Sequence, residues 1–325
     1  MDTPTITSLD LPLARRSSGK VRESWPLPRG QRLLATTDRF SAMDRVVGAV
    51  AHKGQVLNRL AAWWFGRSAD LVDHHLVDVP DPNCSIVRNV TPLPVEVVVR
   101  GHITGSTSTS LWTMYERGAR HLYGHHLPDG LHQHEQLAAP LITPTTKAGG
   151  GAHDEPITVN DVVAFGLVDP LTWERVLDVA LRLFERGTKL AEEVGLILAD
   201  TKYEFGLDAQ GRLLLIDEVH TPDSSRYWVA DSFERRLAAG EQPESHDKEP
   251  VRLALRAAGF TGDGEVPELP AELWAETSRR YVELFESLTG ESIEPVTTSI
   301  EDRITTNLAA AGLLAVATTD QQGAS

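Results

Sequence analysis

The sequence predicts a fold that mixes α-helices and β-strands. The first hundred residues contain several short β-branched or apolar runs, which Pro, Gly and Asp residues separate. Residues 171–194 follow a helical pattern, because their apolar residues recur on one stripe. A β-hairpin is predicted directly after this helix, between residues 201 and 217. At 325 residues, the chain is long enough for two domains or for one domain with two lobes.

The predicted elements follow one another along the chain without an internal repeat. Strands are expected at 32–37, 85–89 and 95–100, with a helix at 54–65 between the first two. A short helix at 108–117 precedes a long polar loop, which runs from 121 to about 156. Further helices are expected at 246–258 and 270–288. The Thr- and Ala-rich tail from about residue 293 is expected to be poorly held.

Composition limits the classes of protein that are possible. Hydrophobic residues make up 41% of the chain, which is enough for a core. The net charge of −15 argues against broad nucleic-acid binding, although it leaves room for a local basic pocket. Cys84 is the single cysteine, which fits a reducing cytoplasm. Neither a signal peptide nor a membrane span is recognisable, so a soluble cytoplasmic protein with no membrane partner is expected.

The predicted hairpin carries the strongest chemical signal. Side chains alternate along a strand, so Asp200, Lys202 and Glu204 should project from one face, with Asp217 returning near the base of the hairpin. Carboxylates of this kind suit Mg²⁺, while Lys202 and Arg226 suit phosphate oxygens. The alternative is a solvated hairpin whose ion pairs are incidental.

Two other segments have the composition of phosphate-binding loops. Gly19 allows close backbone approach, and Lys20 and Arg22 add positive charge, although no Walker A motif is present. Arg100 ends a predicted strand, and Ser106 stands near the start of the following helix, an arrangement that suits an anion. For the segment around Lys20, an ordinary surface turn is the favoured interpretation. For the segment from Arg100 to Ser106, an ordinary glycine turn is as good an explanation as an anion site.

The polar loop before residue 156 is long enough to suggest ligand binding. Its segment TPTTKAGGGAHDE at 143–155 combines hydroxyls, a lysine, three glycines and an acidic pair. Five histidines lie between residues 121 and 134, but their spacing matches no standard zinc pattern. Solvated histidines are the favoured interpretation.

Taken together, these segments resemble the family of phosphoribosylaminoimidazole-succinocarboxamide synthases, or SAICAR synthetases. Seven segments occur in the order of the family: SGKVRES at 18–24, TTDRFSAMD at 36–44, HKGQVLN at 52–58, PLPVEVVVRGHITGS at 92–106, LITPTTKAGGGAHDE at 141–155, DTKYEFG at 200–206 and DEVHTPDSSRYW at 217–228. The resemblance spans roughly residues 17 to 290.

The resemblance implies a two-lobed α+β enzyme, related to ATP-grasp and kinase-like folds, with ATP held between the lobes. It implies a strand-rich nucleotide-binding lobe at 1–98, a substrate- and metal-binding lobe at 99–292 and a tail at 293–325. The family joins L-aspartate to the carboxylate of an aminoimidazole ribonucleotide through an acyl phosphate, and converts ATP to ADP and phosphate. Its partners are therefore small molecules, and a monomer or small homo-oligomer is expected.

The resemblance also implies residue roles. The ligands of Mg²⁺ would be two carboxylates, Glu204 and Asp217. ATP phosphates would be bound by early basic and glycine residues: Gly19, Lys20, Arg22 and Arg88. Substrates would be bound by residues from four segments: Arg100, Ser106, Asp154, Ser225, Arg226 and Arg252. Catalysis would involve three charged residues: Lys147, Asp200 and Lys202.

The segment DKEPVRLAL departs from the family pattern, because Glu249-Pro250 and Leu253 replace the usual Gln-aromatic pair and Asp. These changes leave three alternatives to the purine ligase. One is a related ligase that amidates another azole or pyrazole nucleotide. The others are a small-molecule kinase and a non-catalytic nucleotide-binding protein.

Overall fold

The structure, a computed structural model, describes residues 3–107, 110–147, 155–293 and 299–314. Its strands are β1 Ser17–Ser18, β2 Arg22–Leu27, β3 Gln31–Thr36, β4 Arg39–Ala42, β5 Arg45–Ala49, β6 Leu76–Asp81, β7 Cys84–Arg88, β8 Thr91–His102, β9 His121–Leu122, β10 His125–His126, β11 Gln136–Thr146, β12 Leu196–Leu207, β13 Leu213–Ile216 and β14 Ser225–Val229. Its helices are α1 Lys53–Ser68, α2 Leu111–Glu116, α3 Val159–Ala164, α4 Pro170–Glu193, α5 Ala230–Ala238, α6 Glu249–Ala257, α7 Ala271–Thr289 and α8 Ile300–Ala310.

An N-terminal sheet and a central sheet organise the fold. The N-terminal sheet has the strand order β1-β2-β3-β7-β6. The central sheet has the order β11-β8-β12-β13. Strand β12 is long enough to pair with two strands along one edge, with β13 at residues 204–207 and with β14 at residues 196–201. Within the described residues, the pairings between these strands are antiparallel. Antiparallel sheets with separate helices confirm the predicted α+β class.

The predicted hairpin is confirmed as β12 and β13. Glu204 pairs with Ile216, and Leu207 pairs with Leu213 at the end next to the turn. In the turn, Asp208 Oδ1 accepts hydrogen bonds from the backbone N–H groups of Gln210 and Arg212, each at 2.9 Å. The first strand is longer than predicted, because residues 196–201 also pair with β14.

The prediction of a structureless loop from 121 to 156 is wrong, because this stretch contains the 11-residue strand β11. The strand lies at the edge of the central sheet beside β8, with Pro144 opposite Val97. An edge strand tolerates proline, since one side of its backbone needs no partner within the sheet. On the side of β11 that faces away from β8, the Pro144 carbonyl accepts a hydrogen bond from Ile157 N at 3.1 Å.

The predicted helices at 54–65 and 171–194 are confirmed as α1 and α4. Asp169 caps α4 by accepting a hydrogen bond from Thr172 N at 3.0 Å, and Pro170 occupies the first turn, where a missing N–H costs nothing. At the start of α1, buried Asp38 accepts hydrogen bonds from Gly54 N and Ile6 N, each at 2.8 Å. Asp38 of the TTDRFSAMD segment therefore has a structural role.

The predicted helices at 246–258 and 270–288 are confirmed as α6 and α7. The prediction of a poorly held tail is wrong for residues 299–314. Helix α8 buries Ile300, Ile304 and Leu308 in one core with Trp25 and Leu33 of the N-terminal sheet. On its polar side, Arg303 Nε donates a hydrogen bond to Asp81 Oδ2 at 3.1 Å.

Strand β8 runs unbroken across residue 98, where the boundary between the lobes was predicted, and the division into lobes stays a prediction. No helix in the described ranges is both long and apolar enough to cross a membrane.

Candidate active site

A cavity of about 410 Å³ lies between the central sheet and residues 41–44, 222–224 and 247–252. Seven of the predicted site residues line it: Lys20, Arg100, Asp200, Lys202, Ser225, Arg226 and Arg252. Its lining includes six basic and four acidic side chains, although the whole chain carries a charge of −15. A locally positive cavity in an acidic protein suits an anionic ligand.

Strand register brings two arginines to one carboxylate inside this cavity. Asp200 of β12 stands opposite Arg100 of β8 on one side and Arg226 of β14 on the other. Asp200 Oδ2 accepts a hydrogen bond from Arg100 Nη1 at 2.9 Å and from Arg226 Nη1 at 2.6 Å. The two guanidinium groups are thus held next to each other by one carboxylate, and we call Arg100 and Arg226 the arginine clamp. Neighbouring Ser225 shares a hydrogen bond of 2.7 Å with the Thr201 hydroxyl.

A second charged group lies further along β12. Lys202 Nζ donates hydrogen bonds to Glu96 Oε1 at 2.7 Å and to Glu204 Oε1 at 2.8 Å, while Lys147 pairs with the other oxygen of Glu204. Burial alone would lower the pKa of Lys202, but Glu204 and Glu96 raise it above its usual value. Lys202 therefore remains a fixed cation beside the acidic residues.

Asp217 follows β13 and lies near Glu204, because Glu204 pairs with the adjacent Ile216. Its backbone has φ = 65°, an uncommon conformation for a non-glycine residue that often marks functional sites. Its carboxylate forms an ion pair with Arg22. Burial would raise the pKa of Asp217, but Arg22 and Lys202 lower it to about 2. Glu204 and Asp217 are carboxylates of the kind that Mg²⁺ prefers, but each is paired with basic side chains in this structure, and the Mg²⁺ site stays a prediction.

Of the loop at 18–22, Lys20 lines the cavity. Lys20 forms an exposed ion pair with Asp44. Arg39 fixes the loop backbone, because its Nη2 donates a hydrogen bond to the Gly19 carbonyl at 2.8 Å and its Nε donates to the Lys20 carbonyl at 3.0 Å. Sequence reasoning missed Arg39, although it stands in the TTDRFSAMD segment.

A buried ion cluster next to the cavity was also missed. Asp223 Oδ2 lies 2.9 Å from both Lys53 Nζ and Lys248 Nζ, and Tyr281 donates a hydrogen bond to Asp223 Oδ1 at 3.0 Å. The Lys53 side chain is 0% exposed. No sequence pattern links these four residues, which come from α1, the segment after β13, the residue before α6, and α7. We call them the Asp223 cluster.

Asp247 is a further unpredicted residue of the cavity. It is 3% exposed, and its Oδ1 accepts a hydrogen bond from Glu249 N at 2.6 Å. Burial raises the pKa of Asp247 to about 7, although Arg226 acts in the opposite direction. Asp247 thus changes charge near neutral pH.

The structure does not bring every predicted residue to the cavity. Arg88 lies at the end of β7, where its guanidinium donates a hydrogen bond to the His74 carbonyl. Ser106 does not line this cavity. Of its two neighbours in the chain, Thr107 lines it and Gly105 lines a different cavity. Asp154 lies outside the described residues. Among the histidines between residues 121 and 134, His134 is buried and shares a hydrogen bond of 2.8 Å with Thr104, so solvation does not account for all five.

Arginines, lysines and carboxylates gathered around one cavity are the residue types that enzymes of phosphoryl transfer use to bind phosphates and metal ions. These residue types and the α+β fold agree with an enzyme of that class. The family model described as SAICAR synthetase matches residues 15–268. The chain belongs to the SAICAR synthetase family.

Individual relatives agree with this assignment. The phosphoribosylaminoimidazole-succinocarboxamide synthase of Legionella pneumophila (strain Lens) is 47% identical over 88% of this chain and 91% of its own length. The chloroplastic enzyme of the same name from Arabidopsis thaliana is 45% identical over 91% of this chain and 72% of its own length. The solved SAICAR synthase from Saccharomyces cerevisiae, complexed with SAICAR, is 32% identical, with a TM-score of 0.75 over 89% of this chain and 99% of its own.

Proposed function

We propose that this protein joins L-aspartate to the carboxylate of 5-amino-1-(5-phospho-D-ribosyl)imidazole-4-carboxylate in purine biosynthesis, with conversion of ATP to ADP and phosphate. Membership of the SAICAR synthetase family supports the reaction. The observation that carries the proposal is the single cavity that holds both the arginine clamp and Lys202. One ligand in this cavity can therefore have its phosphate bound at one end while its carboxylate reacts near the other.

The reaction needs two displacement steps. A carboxylate oxygen of the azole first attacks the terminal phosphorus of ATP, and ADP leaves. The amine of aspartate then attacks the carbon of the acyl phosphate, loses a proton and expels inorganic phosphate. Phosphoryl transfer of this kind depends on positioning and charge neutralisation more than on covalent help from the protein. We assign charge neutralisation to Lys202, with Lys147 next to it on Glu204.

The substrate's 5′-phosphate is assigned to the arginine clamp, with Ser106, Ser225 and Arg252 as further contacts. Asp200 holds both clamp guanidinium groups in place and so positions the phosphate. Gly19, Lys20 and Arg22 are assigned to the phosphates of ATP. Arg88 lies further away, so its role would require a nucleotide that extends over the N-terminal sheet. Asp154 remains a proposed contact of the azole.

Glu204 and Asp217 would hold Mg²⁺, which supplies charge neutralisation of the ATP phosphates when bound. Their carboxylate chemistry and adjacent strands fit this ion. Among the described residues, no three His, Cys, Asp or Glu side chains are grouped to hold a metal. We also propose a cytoplasmic monomer or small homo-oligomer.

The decisive experiment incubates the purified protein with ATP, Mg²⁺, L-aspartate and the azole carboxylate nucleotide. Mass spectrometry should detect the succinocarboxamide product together with stoichiometric ADP. A panel of other amines and azole nucleotides should give much slower turnover. Absence of the succinocarboxamide, or preference for another amine or azole, would refute the proposal, and phosphorylated azole without an amide would indicate a kinase.

The metal assignment is tested with Glu204→Gln, which keeps the size of the side chain but removes its charge. We expect kcat to fall by at least about 100-fold, because a preorganised charge near the transferred group is lost. Asp208→Asn is the matched control, since Asp208 lies in the turn of the same hairpin and should leave kcat unchanged. Circular dichroism should show both variants folded. Normal turnover by Glu204→Gln would contradict the assignment.

A further inference from the structure

Glu249 brings a carboxylate close to the arginine clamp. It is the first residue of α6, and its Oε2 lies 3.5 Å from Arg226 Nη2 and 3.4 Å from Arg252 Nη1. The three side chains are 15%, 14% and 24% exposed, so water screens these interactions only in part. Glu249 also lines a second cavity of about 310 Å³, which shares Arg226 with the substrate cavity.

The carboxylate of Glu249 is charged at neutral pH. Burial alone would raise its pKa, but Arg226 and Arg252 lower it below the usual value for a glutamate. Both arginines therefore already have an anionic partner when no ligand is bound. A phosphate that approaches them meets a competing negative charge of the protein itself.

The two acidic partners of the arginines differ in how firmly they are held. Asp200 is fixed by strand register on both sides and contacts its arginines at 2.6 and 2.9 Å. Glu249 stands at a helix start and reaches its arginines only at 3.4–3.5 Å, in single ion pairs. Of the two carboxylates, Glu249 is consequently the one that a phosphate displaces more easily.

We propose that Glu249 is an affinity-determining residue, which competes with the phosphate of the substrate for Arg226 and Arg252 and so weakens phosphate binding. This inference rests on the proposed function, which assigns the 5′-phosphate to these arginines. Glu249 returns to the arginines when the phosphate leaves, which favours release of a phosphorylated product.

The test compares Glu249→Gln with Glu244→Gln. Both changes remove one negative charge from the wall of the 310 Å³ cavity, but the Glu244 carboxylate accepts a hydrogen bond from the Ser232 hydroxyl at 3.2 Å, whereas Glu249 faces two arginines. Calorimetric titration with inorganic phosphate and with ribose 5-phosphate should show about three- to tenfold tighter binding to Glu249→Gln, and unchanged binding to Glu244→Gln. Equal or weaker binding to Glu249→Gln would overturn the inference.

Two further measurements separate competition from a change in folding. Glu249→Met, a neutral residue of similar length, should tighten phosphate binding in the same direction. In an Arg252→Gln background, removal of the Glu249 charge should have a smaller effect, because one of its two competing contacts is already absent. An effect of the same size in this background would contradict the mechanism.

The binding titration involves no turnover, so its result does not depend on whether the proposed ligase reaction occurs. If the ligase assay gives no product but phosphate binds Glu249→Gln more tightly, the proposed function is refuted and the competition stands. If ligation occurs, Glu249→Gln should lower KM for the azole nucleotide while kcat does not fall. A lower kcat with unchanged KM would indicate that Glu249 only orients the arginines.

Discussion

At the residue scale, three carboxylates of the site are each held by two cations. Asp200 contacts two arginines, Glu204 contacts two lysines, and Asp223 contacts two lysines. Ion pairs of this kind hold the side chains in a fixed geometry. The site is therefore built from mutually positioned charged groups in a part of the protein that water reaches poorly.

Asp247 is the exception, and it predicts a dependence of stability on pH. Its pKa of about 7 exceeds the usual value of 3.8, so the native state holds a proton that the unfolded state releases. The contribution of Asp247 to stability is therefore full below about pH 4 and is lost as the pH rises through 7. We expect Asp247→Asn to raise the free energy of unfolding at pH 8 by up to about 4 kcal/mol, with little effect at pH 4.

Urea denaturation of the ligand-free protein at several pH values measures this effect. Asp263→Asn, which changes an exposed aspartate, should leave the pH profile unchanged. If the stability of Asp247→Asn depends on pH in the same way as that of the unchanged protein, the titration of Asp247 does not cause the pH dependence.

The residues of the site differ in how far the sequence could identify them. Lys20, Arg100 and Arg226 stand in segments of recognisable composition, and the structure places all three at one cavity. Lys53 gave no chemical signal, because it opens an amphipathic helix and its partner Asp223 is 170 positions away in the printed sequence. Such ion pairs exist only after tertiary packing, so a local pattern cannot reveal them.

At the scale of elements, helix α8 covers one face of the N-terminal sheet. Truncation of a single side chain in the core between them should therefore lower the stability of the protein strongly. Leu308 is 0% exposed and packs in the same core as Trp25 and Leu33. We expect Leu308→Ala to lower the free energy of unfolding by about 2–5 kcal/mol, because it leaves a cavity between helix and sheet. Glu301→Ala, on the exposed side of the same helix, should change the stability by less than about 0.5 kcal/mol. Equal effects of the two substitutions in chemical denaturation would show that α8 is not docked.

The two elements that sequence reasoning misjudged, β11 and α8, had weak or masked signals. Pro140, Pro144 and several small residues hide the strand pattern of β11, which its edge position makes tolerable. In α8, Ile300, Ile304 and Leu308 recur every four residues and do predict a helix. The surrounding Thr and Ala residues obscured that spacing. The long helices α1 and α4 were predicted because their apolar residues recur at helical spacing.

At the scale of the whole molecule, the Asp223 cluster connects segments that are distant in the chain. It joins the first residue of α1 with the segments that follow β13 and precede α6, and with α7. Asp223→Asn would leave the fully buried Lys53 and the largely buried Lys248 without their counter-charge. We expect a loss of about 3–5 kcal/mol in the free energy of unfolding, as is usual when one partner of a buried pair is removed.

Thermal or urea denaturation checks this prediction against Asp129→Asn, which breaks the surface ion pair with Arg120. The surface change should cost less than about 1 kcal/mol. A similarly small loss for Asp223→Asn would mean that Lys53 and Lys248 find other partners or lose their protons.

The core under α8 also has a consequence for the order of events during synthesis. Ile6, Leu9 and Leu11 share this core with Ile300 and Leu308, so its parts are translated almost a whole chain length apart. On the ribosome, the N-terminal sheet must wait with an apolar face uncovered until residues 300–314 have emerged. Long waits of this kind expose a chain to aggregation and to chaperones. This protein should therefore fold most efficiently when helix α8 is synthesised without delay.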